Sequence, residues 1–107
     1  MKVVLLESAE RDLKQLRSYI IRKFSLGTWK NTYSQLKDSI RNLEQFPLLG
    51  NIPPELESLN LAQYRQIVSG MNRIIYEVKQ DTIYVHLIAD SRREMLALLS
   101  KRLLRAG

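Results

Sequence analysis

Four arginines in the second half of the chain are the side chains best suited to bind an anion. Arg65 and Arg73 lie in segments with a strand pattern, and Arg92 and Arg93 directly follow the last of these segments. A guanidinium group stays protonated at neutral pH and presents a planar fork of donors that matches a carboxylate or a phosphate. The sequence therefore predicts a cationic surface for target binding, with the Arg92–Arg93 pair as its main contact.

Groups that could transfer a proton are few. The chain has no cysteine and one histidine, His86, which has no Asp or Glu partner in the local sequence. We interpret His86 as a neutral, hydrogen-bonded sheet residue, and Tyr64, Tyr76 and Tyr84 as packing residues. Tyr76 and Tyr84 could also stack on a base if their sheet face is open. A zinc site would rest on carboxylates, which zinc seldom accepts, so we expect no metal and no cofactor.

The length, net charge and apolar stretches of the chain limit the class of protein to which it can belong. A length of 107 residues predicts a single domain, residues 1–107. The net charge of +6 favours an anionic partner, such as nucleic acid or an acidic protein, although a surplus of this size also serves solubility. The N-terminal apolar run is too short for a signal peptide, and no stretch is long enough to cross a bilayer. We therefore expect a cytoplasmic protein with no membrane partner.

Apolar spacing in the first half of the chain predicts a strand followed by two helices. Residues 3–6 are solidly apolar, as in a buried strand. Two helical faces follow, one formed by Leu13, Leu16, Ile20 and Phe24 and the other by Trp29, Tyr33, Leu36, Ile40 and Leu43. Ser8 is a candidate N-cap of the first helix, Gly27 its candidate C-cap, and Thr28 the candidate N-cap of the second. The short connection predicts an antiparallel helical hairpin that ends at Phe46-Pro47.

The second half has a different period. After a proline-containing loop with one helical turn near Pro54 to Leu59, alternation with a period of two predicts strands over residues 64–69, 73–79 and 82–89. Their short connections imply an antiparallel meander. A closing helix follows, with Ser91 and Glu94 as a capping box and Met95, Leu98, Leu99 and Leu103 as its inner face. The whole predicts an α+β domain with the helices on one face of the sheet.

This order of elements, together with several short motifs, resembles the RelE/ParE superfamily of bacterial toxins. The motifs are Ser8–Leu13, Phe46–Gly50, Tyr64-Arg65, Gly70–Val78 and Ile83–Met95, and together they span nearly the whole chain. The resemblance implies a toxin of a type II toxin–antitoxin module, a class associated with plasmid stabilisation and growth arrest. It also implies a toxin–antitoxin hetero-oligomer with a cognate antitoxin. We expect this antitoxin to be acidic because this chain is basic, and partly disordered because folding on binding lets a small chain bury a large surface.

The resemblance leaves two targets open, of which the first is messenger RNA on the ribosome. RelE-like members cut messenger RNA without a metal. Such cleavage requires cations around the phosphate and groups that transfer protons. Arg65, Arg73 and Arg92 could supply the cations, but the loop before the meander has no lysine and no Tyr or His follows His86. Arginine is a poor base because it remains protonated. The proton-transferring half of a ribonuclease site is therefore missing.

The second target is DNA gyrase, which ParE-like members inhibit. Their last strand often closes with an apolar-Leu-His-x-Arg-x-Asp pattern before a helix. Residues 87–94 resemble this pattern, with Ala89 at the position of the histidine, Glu94 near that of the acid, and the Arg92–Arg93 pair kept. We therefore favour a gyrase inhibitor over an enzyme. A RelE-like endoribonuclease is the first alternative, and a non-toxic, basic nucleic-acid-binding module is the second.

The Arg92–Arg93 pair is expected at a rigid corner between the last strand and the start of the closing helix. There the two guanidinium groups would extend near the positive end of the helix dipole, free to bind a carboxylate or phosphate of the target. The opposing interpretation is that they pair with Asp90 or Glu94. Such exposed pairs usually contribute only fractions of a kcal/mol.

Overall fold

The computed structural model describes residues 1–104, which form a four-stranded sheet covered by helices on both faces. In chain order the elements are β1 (Lys2–Leu5), α1 (Glu7–Lys23), α2 (Leu26–Gln45), α3 (Pro54–Glu57), β2 (Tyr64–Ser69), β3 (Asn72–Lys79), β4 (Thr82–Asp90) and α4 (Met95–Leu103). The predicted α+β fold, with its N-terminal strand, helical hairpin, meander and C-terminal helix, is confirmed. The single helical turn predicted in the loop is α3.

The sheet has the order β1-β4-β3-β2. β2, β3 and β4 form the predicted antiparallel meander. Gly70, in the turn between β2 and β3, has a φ of 59°, a conformation that a residue without a Cβ adopts at little cost. β1 lies beside β4 and runs parallel to it, so that Lys2 is paired with Thr82. The first and last strands are therefore neighbours at one side of the sheet.

The helices cover both faces of the sheet, so the expectation that they lie on one face is wrong. Ile74 and Tyr76 pack in the core beneath α1 and α2, whereas Ile75 and Leu87 pack against Leu56 of α3 and the inner residues of α4. Successive residues of a strand point to opposite faces. The run of apolar residues in β3 and β4 thus requires a cover on each side, as is typical of fully buried strands.

Both helices of the hairpin begin earlier than predicted. α1 begins at Glu7, and Ser8 lies inside it with its hydroxyl donating to the His86 carbonyl at 3.3 Å. α2 begins at Leu26 with Ser25 as its N-cap, whose hydroxyl accepts from the Thr28 backbone N–H at 3.0 Å. Ser25 satisfies a donor of the first turn, and Gly27 is consequently helical rather than a cap.

The buried face of the hairpin differs from the prediction at two aromatic residues. Trp29 is buried together with Leu36 and Leu43 of α2. Tyr33 is 38% exposed and stacks on the Trp29 ring with 5.3 Å between the centroids. Phe24 is 64% exposed, since it is the C-cap of α1 and its non-helical backbone turns the side chain off the helical face.

The capping box predicted for the last helix is wrong. α4 begins at Met95, and its N-cap is Glu94, whose carboxylate accepts from the Ala97 backbone N–H at 2.7 Å. Residues 91–93 form a turn instead of the first helical residues. Met95 and Leu99 are buried as predicted, so the inner face of the helix is confirmed. Within residues 1–104, no helix is long and apolar enough to span a membrane.

Candidate functional site

Arg92 and Arg93 lie in the turn between β4 and α4. The Asp90 carboxylate closes this turn by accepting from the Arg92 backbone N–H at 2.8 Å and from its guanidinium at 2.9 and 2.8 Å. These hydrogen bonds lower the pKa of Asp90 below its ordinary value of 3.8. The expectation of two unpaired guanidinium groups is therefore wrong for Arg92. Arg93 is exposed and forms no direct ion pair among residues 1–104, although its positive charge also lowers the pKa of Asp90.

A groove of about 390 Å³ lies between α1 and the end of β4, beside this turn. Leu16 and Tyr19 of α1 and Ile88 of β4 supply its apolar lining, and Arg92 and Arg93 line it as well. We call it the α1–β4 groove. It places the two arginines next to an apolar surface, a combination that suits a protein partner with an anionic group.

An ion pair between Asp12 and Arg102 joins three elements beside the groove. The Asp12 carboxylate accepts from Arg102 at 2.8 and 3.1 Å and from the Ile88 backbone N–H at 3.0 Å. Arg102 also donates to the His86 carbonyl at 3.0 Å. α1, β4 and α4 are therefore held together at one point. Sequence reasoning missed this pair because its partners lie 90 residues apart.

Arg65 and Arg73 point to opposite faces of the sheet. Arg65 lies opposite Tyr76 in the register, and its guanidinium donates to the Gly50 carbonyl at 2.7 Å. Arg73 forms two hydrogen bonds of 2.9 Å with the Glu55 carboxylate, and its side chain is 11% exposed. Both arginines are thus engaged within the chain. The structure does not bring them together with Arg92 and Arg93 on one surface.

The candidate proton-transfer groups are also hydrogen-bonded within the chain. The His86 imidazole Nε2 lies 3.0 Å from the Glu77 carboxylate on β3, and its ring contacts the Tyr64 ring edge-on. His86 is hydrogen-bonded as predicted, but its partner lies across the sheet, where the local sequence did not reveal it. The Tyr76 hydroxyl is buried, donates to the Pro47 carbonyl at 2.8 Å and accepts from the Gly50 N–H at 2.9 Å. Burial accordingly raises the pKa of Tyr76.

The comparison that decides the family is a match to the family model described as the ParE toxin of the type II toxin–antitoxin system parDE. It covers residues 3–95, which is most of the chain. This chain belongs to the ParE toxin family. The matched residues include the sheet, the hairpin and the turn with Arg92 and Arg93.

A solved structure shares the fold of this ParE toxin. One chain of a structure entitled "Chromosomal ParDE TA system from P. aeruginosa" superposes with a TM-score of 0.70 at 14% sequence identity. The match covers 84% of this chain and 95% of the other. No curated protein sequence matches the chain.

The structure separates Arg92 and Arg93 of this ParE toxin from the candidate proton-transfer groups. Arg92 and Arg93 stand at one end of the sheet, whereas the His86–Glu77 pair lies on the face that α4 covers. Within the described 104 residues, no group of three or more His, Asp or Glu side chains is placed to hold a metal ion. The arrangement suits binding to an anionic surface better than acid–base catalysis.

Proposed function

We propose that this ParE toxin inhibits DNA gyrase and is neutralised by a cognate, acidic antitoxin. The family match over residues 3–95 carries the proposal. The P. aeruginosa structure, whose title names a ParDE toxin–antitoxin system, supports a toxin–antitoxin complex. The net charge of +6 supports an acidic partner, since opposite charge speeds encounter and suppresses wrong partners.

The candidate catalytic groups are already hydrogen-bonded within the chain, which argues against the ribonuclease alternative. Attack of a ribose hydroxyl on a phosphate needs a base, an acid and cations around one phosphate. His86 is hydrogen-bonded to Glu77, and the Tyr76 hydroxyl is bonded on both sides by backbone groups. Arg65 and Arg73 point to different faces of the sheet. Cleavage would therefore require several of these contacts to be rearranged.

Arg93 is the proposed primary contact with an anionic group of the target. Arg92 stands beside it with its side chain 64% exposed, and the hydrogen bond from the Arg92 backbone N–H to the Asp90 carboxylate fixes the turn that presents both residues. Arg65 and Arg73 are proposed to act more indirectly, because they hold the Gly50 segment and α3 against the sheet. A single exposed ion pair such as Arg92–Asp90 leaves the guanidinium able to exchange partners at small cost.

Purified components can test the target. The toxin is added to DNA gyrase with supercoiled DNA, and separately to a translation system containing ribosomes and messenger RNA. We expect gyrase to stall with cleaved DNA while the messenger RNA stays whole. Cleavage of messenger RNA only on ribosomes would overturn the proposed target and would favour the endoribonuclease alternative.

The double substitution Arg92→Ala and Arg93→Ala tests the proposed contact. We expect it to abolish growth arrest and gyrase inhibition while the urea midpoint changes little, since both side chains are exposed. The matched control is Lys14→Ala with Arg17→Ala, which removes the same charge from the exposed surface of α1. Full toxicity in the Arg92/Arg93 variant, or equal loss in the control, would remove the site assignment.

A further inference from the structure

We propose that the outer edge of β4, from Ile88 to Asp90, binds an extended segment of the antitoxin as an added strand parallel to β4. The identity of the partner rests on the proposed function. The position and direction of the strand rest on the backbone groups that this edge leaves free.

The outer edge of β4 is only partly covered by β1. The two strands pair from Lys2↔Thr82 to Leu5↔Val85, and one more hydrogen bond runs from the Leu6 N–H to the Val85 carbonyl at 3.1 Å. The chain then turns into α1 at Glu7. On its inner side β4 remains paired with β3 as far as Asp90. Residues 86–90 of β4 therefore have a strand on one side only.

The hydrogen bonds along residues 86–90 show which backbone groups face outward. The Ile88 N–H donates to the Asp12 carboxylate, and the Asp90 carbonyl accepts from the Arg93 N–H at 3.1 Å. Both contacts are on the side away from β3. Because the N–H and C=O of one strand residue point to the same side, the Ile88 carbonyl and the Asp90 N–H also face outward. Neither group has a partner among the side-chain, turn and loop hydrogen bonds of residues 1–104, and the sheet hydrogen bonds to β3 lie on the opposite side of β4.

These two free groups select the direction of an added strand. In a parallel ladder, one residue of the neighbour donates to one carbonyl and accepts from the N–H two residues further along. The Ile88 carbonyl and the Asp90 N–H form such a pair on either side of Ala89. An antiparallel neighbour would pair with both groups of one residue, but the Ile88 N–H and the Asp90 carbonyl are already bonded. The added strand therefore runs parallel, in the direction of β1.

The α1–β4 groove provides the side-chain environment for this segment. It lies along the same edge, with Leu16, Tyr19 and Ile88 as apolar lining and a volume of about 390 Å³. Asp12 and Asp90 are both paired with arginines of this chain, whereas Arg93 forms no direct ion pair among the described residues. The complementary segment carries an apolar side chain for the groove and a carboxylate for Arg93. An acidic antitoxin meets this requirement better than a second copy of this basic chain.

A pair of substitutions at one position tests the backbone contact. Asp90→Pro and Asp90→Ala both remove the carboxylate that pairs with Arg92, but only proline removes the outward N–H. Proline is tolerated where the N–H of an edge strand faces solvent. Binding is measured with the purified product of the adjacent open reading frame, after urea melts have compared the two variants. We expect Asp90→Pro to bind about tenfold more weakly than Asp90→Ala, because a partner carbonyl is left unpaired in the interface.

Amide hydrogen exchange of the wild-type protein gives a readout that needs no substitution. The Asp90 N–H should exchange readily in the free toxin and become protected in the complex. The Ala89 N–H, which faces β3, is the internal control and should be protected in both states.

Three outcomes would overturn this inference. In the first, the antitoxin binds, but the Asp90 N–H stays unprotected and the two variants bind with equal affinity. This result would refute the added strand while leaving neutralisation by an antitoxin intact. Protection in the free toxin that rises with concentration would identify a second copy as the occupant. Absence of any binding by the wild type would overturn both the strand and the proposed neutralisation, whereas gyrase inhibition would be unaffected.

Discussion

Removing the Asp12 carboxylate is expected to destabilise the fold, because three elements meet at it. Asp12→Ala leaves the Ile88 N–H and the Arg102 guanidinium without their acceptor. A buried donor left unpaired costs about 1–3 kcal/mol. The lost ion pair adds less than the 3–5 kcal/mol typical of a fully buried pair, since the Arg102 side chain is 25% exposed. We expect the free energy of unfolding to fall by about 2–4 kcal/mol.

Urea denaturation followed by circular dichroism measures this loss, and a double-mutant cycle assigns it. Arg102→Ala is expected to cost about 1–2 kcal/mol, less than Asp12→Ala, because Asp12 still accepts from the Ile88 N–H. The coupling between the two substitutions should be about 1 kcal/mol. Lys101→Ala, at an exposed neighbouring position, is the control and should change stability by less than about 0.5 kcal/mol. A loss below about 1 kcal/mol for Asp12→Ala would refute the reasoning.

Three other expectations can be checked by the same melts. Leu36→Ala should cost about 2–5 kcal/mol because Leu36 is 1% exposed, and a cost below about 1 kcal/mol would contradict its core position. Tyr76→Phe should cost about 1–3 kcal/mol, since two backbone groups lose the hydroxyl. Arg73 lowers the pKa of Glu55 from its ordinary 4.5. This stabilisation is present above that value and is lost as the pH falls through the lower, folded pKa. Arg73→Gln should therefore show a shallower loss of stability below about pH 5 than the wild type.

Local patterns predicted most elements of this fold. Helical spacing and the change to a period of two depend on neighbouring residues, and they located the hairpin, the meander and α4. The arrangement of β1 beside β4 and the placement of α4 on the second face depend on contacts between distant parts of the chain. The apolar run in β3 and β4 did carry a signal for the second face. Ile74 and Ile75 are both fully buried, which a sheet with one covered face would not allow.

The candidate site was predicted less well, because ion pairs between distant residues determine which arginines remain unpaired. The sequence placed Arg92 and Arg93 at the start of the last helix, whereas they lie in the turn before it. The spacing of Asp90 and Arg92 was visible as a potential pair. The partners of Arg73 and Arg102 lie 18 and 90 residues away, respectively. Cross-strand pairs such as His86 with Glu77 follow from register, which single-residue patterns do not determine. Arg65, Arg73 and Arg92 therefore make contacts within the chain, and binding of the arginines to a target stays a prediction.

The parallel pairing of β1 with β4 has a consequence for how the protein emerges during translation. Lys2 pairs with Thr82, so the first strand has no partner until the last strand has been synthesised. At about 5–20 residues per second, the intervening 80 residues take roughly 4–16 s. During that interval the α1–α2 hairpin lacks the sheet that buries Leu36 and Leu43. The nascent chain therefore acquires its native sheet only near the end of synthesis, and the apolar faces of both helices stay uncovered until then.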